Sequence, residues 1–347
     1  MDAVILVLSF VLILAGAELF TNGIEWFGRK LELAEGAVGS VLAAVGTALP
    51  ETTIPVIAII FGSGAHADEV GVGAVLGAPL MLSTLAMFVT GVVVLIAARA
   101  RRTSDEMTVD VPVLLHDMRT FAVAYVLAIG MAFLPADLVW PRQAMGIVLL
   151  VIYALYVKGH FEADPSTDLE DIAPLRFHRL DRQAHRADPA IPRLRVANLQ
   201  VIAALSFIVV GAWAFVGVVE RLGDGLGINE VILALVIAPI ATELPEALNA
   251  IIWVRQGKHT LAMANITGAL VFQATIPTAI ALMLASSTWV ASGSAQTAFL
   301  SAAVALLSSA VIFIPLMRSA TLRGRALLAG GVFYAAYLAV AISTLAG

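Results

Sequence analysis

The sequence predicts an all-α membrane protein with ten transmembrane helices in two inverted five-helix repeats and both termini outside. Three observations predict this fold: an apolar composition, ten long apolar stretches, and a repeat that relates the two halves. Of 347 residues, 60% are hydrophobic and 13% are charged, whereas soluble domains have about 45–50% and about 25%. The composition excludes a soluble enzyme, a disordered chain and a protein that binds nucleic acid through a basic face. The absence of cysteine excludes disulfides and thiolate metal sites.

The ten stretches are long enough to cross a bilayer, which takes roughly 20 mostly apolar residues per helix. Pro135 and Pro141 leave the division between the fourth and fifth stretches open. We number them spans 1 to 10, in the order 3–27, 34–61, 70–98, 118–136, 141–158, 197–220, 229–254, 259–286, 295–317 and 325–345.

The distribution of Lys and Arg supports this count and predicts the orientation. Of the 20 basic residues, 18 fall in the loops that follow spans 1, 3, 5, 7 and 9, and only Arg142 and Arg221 fall on the opposite side. A missed or additional span would scramble this alternation. Because basic residues collect on the cytoplasmic side, these loops are predicted to be cytoplasmic, and the chain is predicted to be a multi-pass protein of the cell membrane.

A shift of 195 positions aligns the two halves of the chain. The densest match pairs Thr47-Ala48-Leu49-Pro50-Glu51 with Thr242-Glu243-Leu244-Pro245-Glu246, and two further pairs of glutamates fall in the same register. We predict a first five-helix repeat over residues 1–158, a cytoplasmic linker over 159–196 and a second repeat over 197–347. Because five is an odd number, the second repeat is inverted, an architecture that places transport sites near the bilayer midplane between the repeats.

The linker is rich in Asp, Arg, His and Pro. A solvated connection between the halves is the simpler interpretation, and a regulatory or ion-sensing element is the alternative. Its histidines, His160, His178 and His185, do not have the spacing of a zinc site, so we assign them no metal.

Three glutamates lie inside the predicted spans: Glu51 in span 2, and Glu243 and Glu246 in span 7. A carboxylate at this depth costs at least about 2.5–3.5 kcal/mol on insertion scales. We therefore expect these side chains to face one another, a cavity or a cation. Protonated carboxyl groups that serve only packing are the alternative.

The neighbouring residues add oxygen ligands. Pro50 and Pro245 interrupt helical hydrogen bonding and free backbone carbonyls about four residues earlier, and Thr47 and Thr242 add hydroxyl groups. Carboxylates, hydroxyls and free carbonyls are the ligands of a hard cation such as Ca²⁺ or Na⁺. Each threonine can instead simply bond to its own helix backbone.

Spans 3 and 8 form a second related pair of segments that are rich in small residues. In span 8, Asn265 and Gln273 are equally consistent with ion ligands and with hydrogen bonds between helices. An intramembrane enzyme is disfavoured, because the spans contain no H-E-x-x-H motif and Asp117 lies near the predicted start of span 4.

With its duplicated G-T-x-L-P-E and T-x-L-P-E segments, each followed by a span rich in small residues, the chain resembles the calcium/cation antiporter superfamily, of the sodium/calcium exchanger type. The resemblance covers nearly the whole chain and is weakest in the linker and the last two spans. It implies a secondary transporter with no cofactor. Because ten spans enclose a site between the repeats, we expect no obligate protein partner. The resemblance also implies a central cation site formed by Glu51 and Glu246, aided by Thr47 and Thr242. Family members typically extrude Ca²⁺ in exchange for Na⁺ or H⁺.

The chain departs from the family pattern at positions that bear on the counter-ion. Ala48 and Glu243 stand where the family usually has serine, span 3 lacks the family's polar ligands, and span 8 keeps Asn265 and Gln273. Oxygen sites for several Na⁺ ions are therefore depleted. Because close carboxylates cannot all stay ionised without a cation, we expect the three glutamates to bind one cation, Ca²⁺ or a similar ion, in exchange for protons. A degenerate, non-transporting cation sensor is the alternative.

Overall fold

The computed structural model describes most of the chain and part of the predicted cation site. The described residues are 2–34, 36–48, 59, 67–101, 104–162, 172–180, 192–226, 244–291 and 296–346. Thr47, Glu246, Asn265 and Gln273 lie within these ranges. Glu51, Thr242 and Glu243 lie outside them.

The described residues are almost entirely helical. The helices are α1 (Asp2–Lys30), α2 (Ala37–Thr47), α3 (Ala67–Met81), α4 (Met87–Arg101), α5 (Val111–Gly130), α6 (Val139–Glu162), α7 (Leu194–Leu226), α8 (Leu244–Gln256), α9 (His259–Leu284), α10 (Gln296–Ser319), α11 (Gly324–Leu327) and α12 (Ala329–Ala346). The strands β1 (Glu106–Met107) and β2 (Leu322–Arg323) pair antiparallel between two interhelical loops. Short 3₁₀ turns lie at Met131–Phe133 and Arg176–Leu180.

Two helical segments have the wider π-helical winding. One is Ala37–Ala43, which forms the first part of α2. The other is Leu82–Ala86, which joins α3 to α4 in one continuous span. π-Helical turns are rare and occur frequently at functional sites. The π-helical segments therefore indicate spans 2 and 3 as candidates for a functional role.

Eight helical stretches of the described residues are long and apolar enough to cross a membrane, and they correspond to predicted spans 1, 3, 4, 5, 6, 8, 9 and 10. Helices α2 and α8 hold the described parts of spans 2 and 7. The count of ten and the inverted repeats remain predictions. Helix α9 is central: 83% of its most apolar window is buried, against 56% or less in the other seven stretches.

Helices α1 and α7 pack through a reciprocal pair of glycines. A Cβ atom added to Gly16 would lie 2.9 Å from Ile208, and one added to Gly211 would lie 2.8 Å from Ile13. Both the glycines and the isoleucines are separated by 195 positions. Small residues let helix backbones approach closely in a membrane, so the two helices meet through equivalent positions of the sequence repeat.

Span 4 begins at Val111 rather than near residue 118. Asp110 caps the helix, because its Oδ1 accepts a hydrogen bond from the backbone N–H of Val113 at 3.1 Å. Pro112 stands in the first turn, where the missing N–H leaves no hydrogen bond unmade. Asp117 therefore lies inside the span, fully buried, and the prediction that placed it near the span start was wrong. The mostly polar residues 116–120, which follow an apolar first turn, obscured the helix start in the hydropathy pattern.

The loop between spans 4 and 5 is organised around Arg142, whose side chain is fully buried. Its guanidinium donates hydrogen bonds to five backbone carbonyls, those of Met131, Leu134, Pro135, Ala136 and Leu138. These bonds satisfy a charge that would otherwise be costly to bury. They place the division between the two spans at this loop.

The predicted linker is partly structured. Helix α6 continues to Glu162, beyond the predicted end of span 5 at residue 158. Residues 172–180 pack against α1 and α7. The indole of Trp26 donates to the carbonyl of Ala173 at 2.9 Å, and the backbone N–H of Phe177 donates to Gln200 at 2.8 Å. This described part of the linker is anchored on two spans.

A candidate cation site between spans 2, 7 and 8

Helix α2 crosses α9 at very short backbone separation. A Cβ atom added to Gly39 would lie 2.7 Å from the Cβ of Ala264, and one added to Gly268 would overlap the carbonyl oxygen of Ser40. Glycine is therefore required at this crossing. The close approach brings the polar side chains of the two helices within reach of each other.

Thr47 and Asn265 meet beside this crossing. Both side chains are fully buried, and the Oγ1 of Thr47 lies 3.4 Å from the Oδ1 of Asn265. The threonine hydroxyl also lies 3.1 Å from the carbonyl of Ala43 on its own helix. Within the described part of the chain, the Nδ2 of Asn265 has no hydrogen-bond partner. The structure thus brings two of the predicted site residues together.

Helix α8 contributes Glu246 and Asn249, which are both fully buried. They are three residues apart and therefore lie on one face of the helix. The amide of Asn249 has no hydrogen-bond partner for either polar atom among the residues described. Helix α8 packs against both α9 and α2. Asn249 is not among the residues that the sequence pattern predicts, although its spacing from Glu246 is the signal that could have identified it.

Gln273 lies farther along α9, where Pro277 interrupts the helix. Proline cannot donate to the carbonyl four residues earlier, which here is the carbonyl of Gln273. The Oγ1 of Thr278 donates to that carbonyl at 2.8 Å instead. The side chain of Gln273 is buried, so the residue combines a buried amide with an interrupted turn.

The predicted contact among Glu51, Glu243 and Glu246 lies outside the described residues. Glu51, Glu243 and Thr242 are not among those residues. Among the residues that are described, no group of three or more His, Asp or Glu side chains is arranged to hold a metal ion. The described part of the site is thus one carboxylate with neutral oxygen and amide groups: Glu246, Asn249, Thr47 and Asn265.

A second buried polar cluster, centred on Asp117, is absent from the sequence prediction. The Oδ2 of Asp117 accepts hydrogen bonds from Ser40 at 2.7 Å and Thr267 at 2.6 Å. The Oδ1 lies 3.0 Å from the hydroxyl of Tyr156 and 2.9 Å from the Nε2 of His160. The helix cap at Asp110 is the signal that could have placed Asp117 inside the membrane.

Comparison with known proteins gives consistent results. A family model described as sodium/calcium exchanger protein matches residues 1–159 and 197–343. An uncharacterized membrane protein of Methanocaldococcus jannaschii is 19% identical over 261 residues, which are 75% of this chain and 74% of that protein.

Solved structures of the sodium-calcium exchanger NCX_Mj have a similar fold. A structure soaked with Na⁺ and Ca²⁺ superimposes with a TM-score of 0.72 at 15% identity, covering 97% of both chains. One soaked with neither ion has a TM-score of 0.71 at 16% identity, covering 97% of this chain and 98% of that chain.

The family model matches the chain on both sides of residues 160–196, and the division into two repeats and a linker stays a prediction. Together with eight apolar helices, the match confirms the prediction of a multi-pass membrane protein. The chain belongs to the sodium/calcium exchanger protein family, and it is a secondary cation antiporter rather than an enzyme.

Proposed function

We propose that this antiporter exchanges Ca²⁺, or a similar cation, for protons at a site near the bilayer midplane. The ligands come from spans 2, 7 and 8: Glu51, Glu246, Glu243, Thr47, Thr242, Asn249, Asn265 and Gln273. The contact between Thr47 and Asn265 carries the proposal, because it joins two of the contributing helices through buried oxygen-bearing side chains.

The hydrogen bonding of this pair supports an oxygen ligand from Asn265. The single hydroxyl proton of Thr47 is used best on the nearer carbonyl of Ala43. The amide of Asn265 then donates to the Oγ1 of Thr47, an orientation that exchanges its oxygen and nitrogen and is assigned from the network. This orientation leaves the Oδ1 of Asn265 as a buried acceptor for a cation.

Proton coupling follows from the charges of the site. A buried carboxylate needs a cation or a proton to neutralise it. Glu246 is described in the core, and Glu51 and Glu243 are its expected neighbours. Loading with a divalent ion displaces protons, and protonation releases the ion. Na⁺ coupling would need several further oxygen ligands. Ala48, Ala78 and Ala269 stand at positions where the family usually has polar residues, and they supply no side-chain oxygen.

Alternating access suits an inverted repeat, in which the two halves rock around a fixed site. The packing of Gly16 against Ile208 and of Gly211 against Ile13 supports this architecture, because a shift of 195 positions exchanges the two contacts. Equivalent surfaces meet in this way in two-fold symmetric assemblies.

The test is uptake of radioactive Ca²⁺ into proteoliposomes with a pH gradient, a Na⁺ gradient or neither. We expect uptake with the pH gradient alone, and its loss in Glu246→Gln and Glu51→Gln. Glu162→Gln is the matched control, because the side chain of Glu162 is 67% exposed at the end of α6. Normal exchange in Glu246→Gln would exclude the site assignment. Uptake driven by Na⁺ alone would exclude proton coupling.

A cation sensor is the second candidate, favoured by the loss of the family's flanking oxygens in span 3. It predicts Ca²⁺-dependent protection against thermal unfolding without flux under any gradient. Uptake by the same preparations distinguishes the two, because only an antiporter shows flux, whereas Glu246→Gln should remove the protection in either case.

A further inference from the structure

Asp117 is a fully buried carboxylate outside the candidate cation site. It lies six residues after the first residue of α5, which is about 9 Å along the helix axis. A charge at such a position is expensive, and intramembrane carboxylates generally mark proton or ion pathways. All of its acceptor capacity is used by protein groups, with two on each oxygen. The arrangement therefore fits a stabilised carboxylate rather than an open metal site.

His160 is the group that balances this charge. Its Nε2 lies 2.9 Å from the Oδ1 of Asp117, and its side chain is 5% exposed. A neutral His160 leaves the pair with a net negative charge, whereas a protonated His160 makes the pair neutral overall. In a medium of low dielectric constant, the neutral pair is the less costly arrangement.

The pair lies close to exposed groups at one end of α5 and α6. His160 is two residues from the end of α6 at Glu162, and His116, one residue before Asp117, is exposed. The rings of His116 and His160 have centroids 5.4 Å apart. This end of both helices is the one predicted to face the cytoplasm.

In the other direction, the pair contacts the helices of the candidate cation site. Ser40 belongs to the π-helical part of α2, seven residues before Thr47, and Thr267 is two residues after Asn265 on α9. Both hydroxyls donate to the same carboxylate oxygen of Asp117. The carboxylate therefore ties α2 and α9 together, beside the crossing at Gly268.

We propose that Asp117 and His160 form a buried proton-binding site, separate from the candidate cation site, which controls how firmly α2 and α9 are held together. The proton adds to the Nδ1 of His160, while Nε2–H keeps its hydrogen bond to Asp117. Protonation strengthens the pair and stabilises the α2–α9 contact. Loss of the proton weakens it.

Few other described groups around Asp117 and His160 are of a type that titrates near neutral pH. Tyr156 contacts both members of the pair, and Tyr153 packs against Tyr156 with ring centroids 5.9 Å apart. His116 is within electrostatic reach of His160, Asp117 and Arg119. From α2 and α9, the contacting side chains are the uncharged Ser40 and Thr267. Among these groups, His116 and His160 carry imidazole, the side chain whose ordinary pKa lies closest to neutral pH.

The first test uses histidine NMR on the purified, ¹⁵N-histidine-labelled protein without Ca²⁺, across about pH 5 to 8, where histidine titrates. We expect the ring signal that disappears in His160→Gln to change with pH. Asp117→Asn removes the negative charge and should move that change to lower pH. His178→Gln, on the segment packed against α1 and α7, is the matched control and should leave the His160 signal unchanged.

The second test measures thermal unfolding of the wild type and of His160→Gln at the same pH values. Glutamine keeps a donor for Asp117 but cannot titrate. The difference in melting temperature should be largest at low pH and shrink as the pH rises. A signal of His160 that does not titrate, or that does not respond to Asp117→Asn, would overturn the proposal. So would a difference in melting temperature that is the same at every pH.

The proton-binding site itself does not depend on the proposed exchange of Ca²⁺, because both tests run without a transported ion. If exchange occurs, His160→Gln should flatten its pH profile while uptake persists. An absence of uptake together with a titrating His160 would exclude the proposed function and retain the site.

Discussion

Two helix interfaces of this protein are held together by different kinds of polar contact. In one, α9 packs against α5 and α6 around the carboxylate of Asp117 and its side-chain donors. In the other, α3 and the segment Leu82–Ala86 pack against α10 and α12. There, Ser308 donates to the carbonyl of Ser83 at 2.7 Å, and Ser301 donates to that of Leu76 at 3.2 Å.

The difference shows where the molecule retains a charge. Hydroxyl-to-backbone bonds hold helices together at little desolvation cost and do not change with pH. A buried carboxylate costs much more, and it holds α2 and α9 firmly only while its donors remain in place. The predicted repeat would make these interfaces equivalent, so the charge distinguishes the two halves.

The largest effect should come from Asp117→Ala. It leaves buried donors on Ser40, Thr267 and Tyr156 without their acceptor, and breaking a buried charged pair typically costs about 3–5 kcal/mol. The unfolding free energy in detergent, measured by denaturant titration, reports this loss. A loss no greater than that of Ser308→Ala would contradict the importance of the charge.

Glycine substitutions should have an intermediate effect at both interfaces. Gly268→Ala places a methyl group on the carbonyl of Ser40, and Gly330→Ala places one on that of Thr84. Overpacking of this kind costs about 1–3 kcal/mol. Only Gly268→Ala should also reduce Ca²⁺ uptake, since it separates the helices of Thr47 and Asn265.

The control for both is Gly130→Ala at the end of α5, where the glycine is exposed and a Cβ atom meets nothing within 4 Å among the described residues. Alanine should be neutral or stabilise helix α5 by about 0.5–1 kcal/mol. Equal losses of stability at Gly130 and Gly268 would exclude the steric explanation.

The smallest effect should come from Ser308→Ala, which removes one hydroxyl donor from a buried helix contact. Interhelical hydrogen bonds in membranes contribute about 0.6 kcal/mol on average. The loss of unfolding free energy should be the same at acid and neutral pH, whereas that of Asp117→Ala should vary. A pH-dependent loss in Ser308→Ala would remove the distinction between the interfaces.

Much of the membrane fold was predictable, because hydropathy and the distribution of basic residues are local properties of the chain. The eight described spans match predicted ones, and the family follows from the duplicated L-P-E segments. Span ends were less predictable: the start of span 4 depends on the cap at Asp110, and the mostly polar residues 116–120 interrupt the hydropathy signal after an apolar first turn. The sequence predicted Thr47 and Asn265 as residues of one site, but it did not predict their contact.

The apolar composition, the length of the apolar stretches and the distribution of basic residues determined that this chain crosses a membrane many times. The helix crossings decided which polar groups meet. Asp117, Ser40, Tyr156, His160 and Thr267 come from four spans and show no shared sequence pattern, yet they form one hydrogen-bonded cluster. In the membrane, a buried polar group must find its partner within the protein, and only the packing of the helices determines which partner it finds.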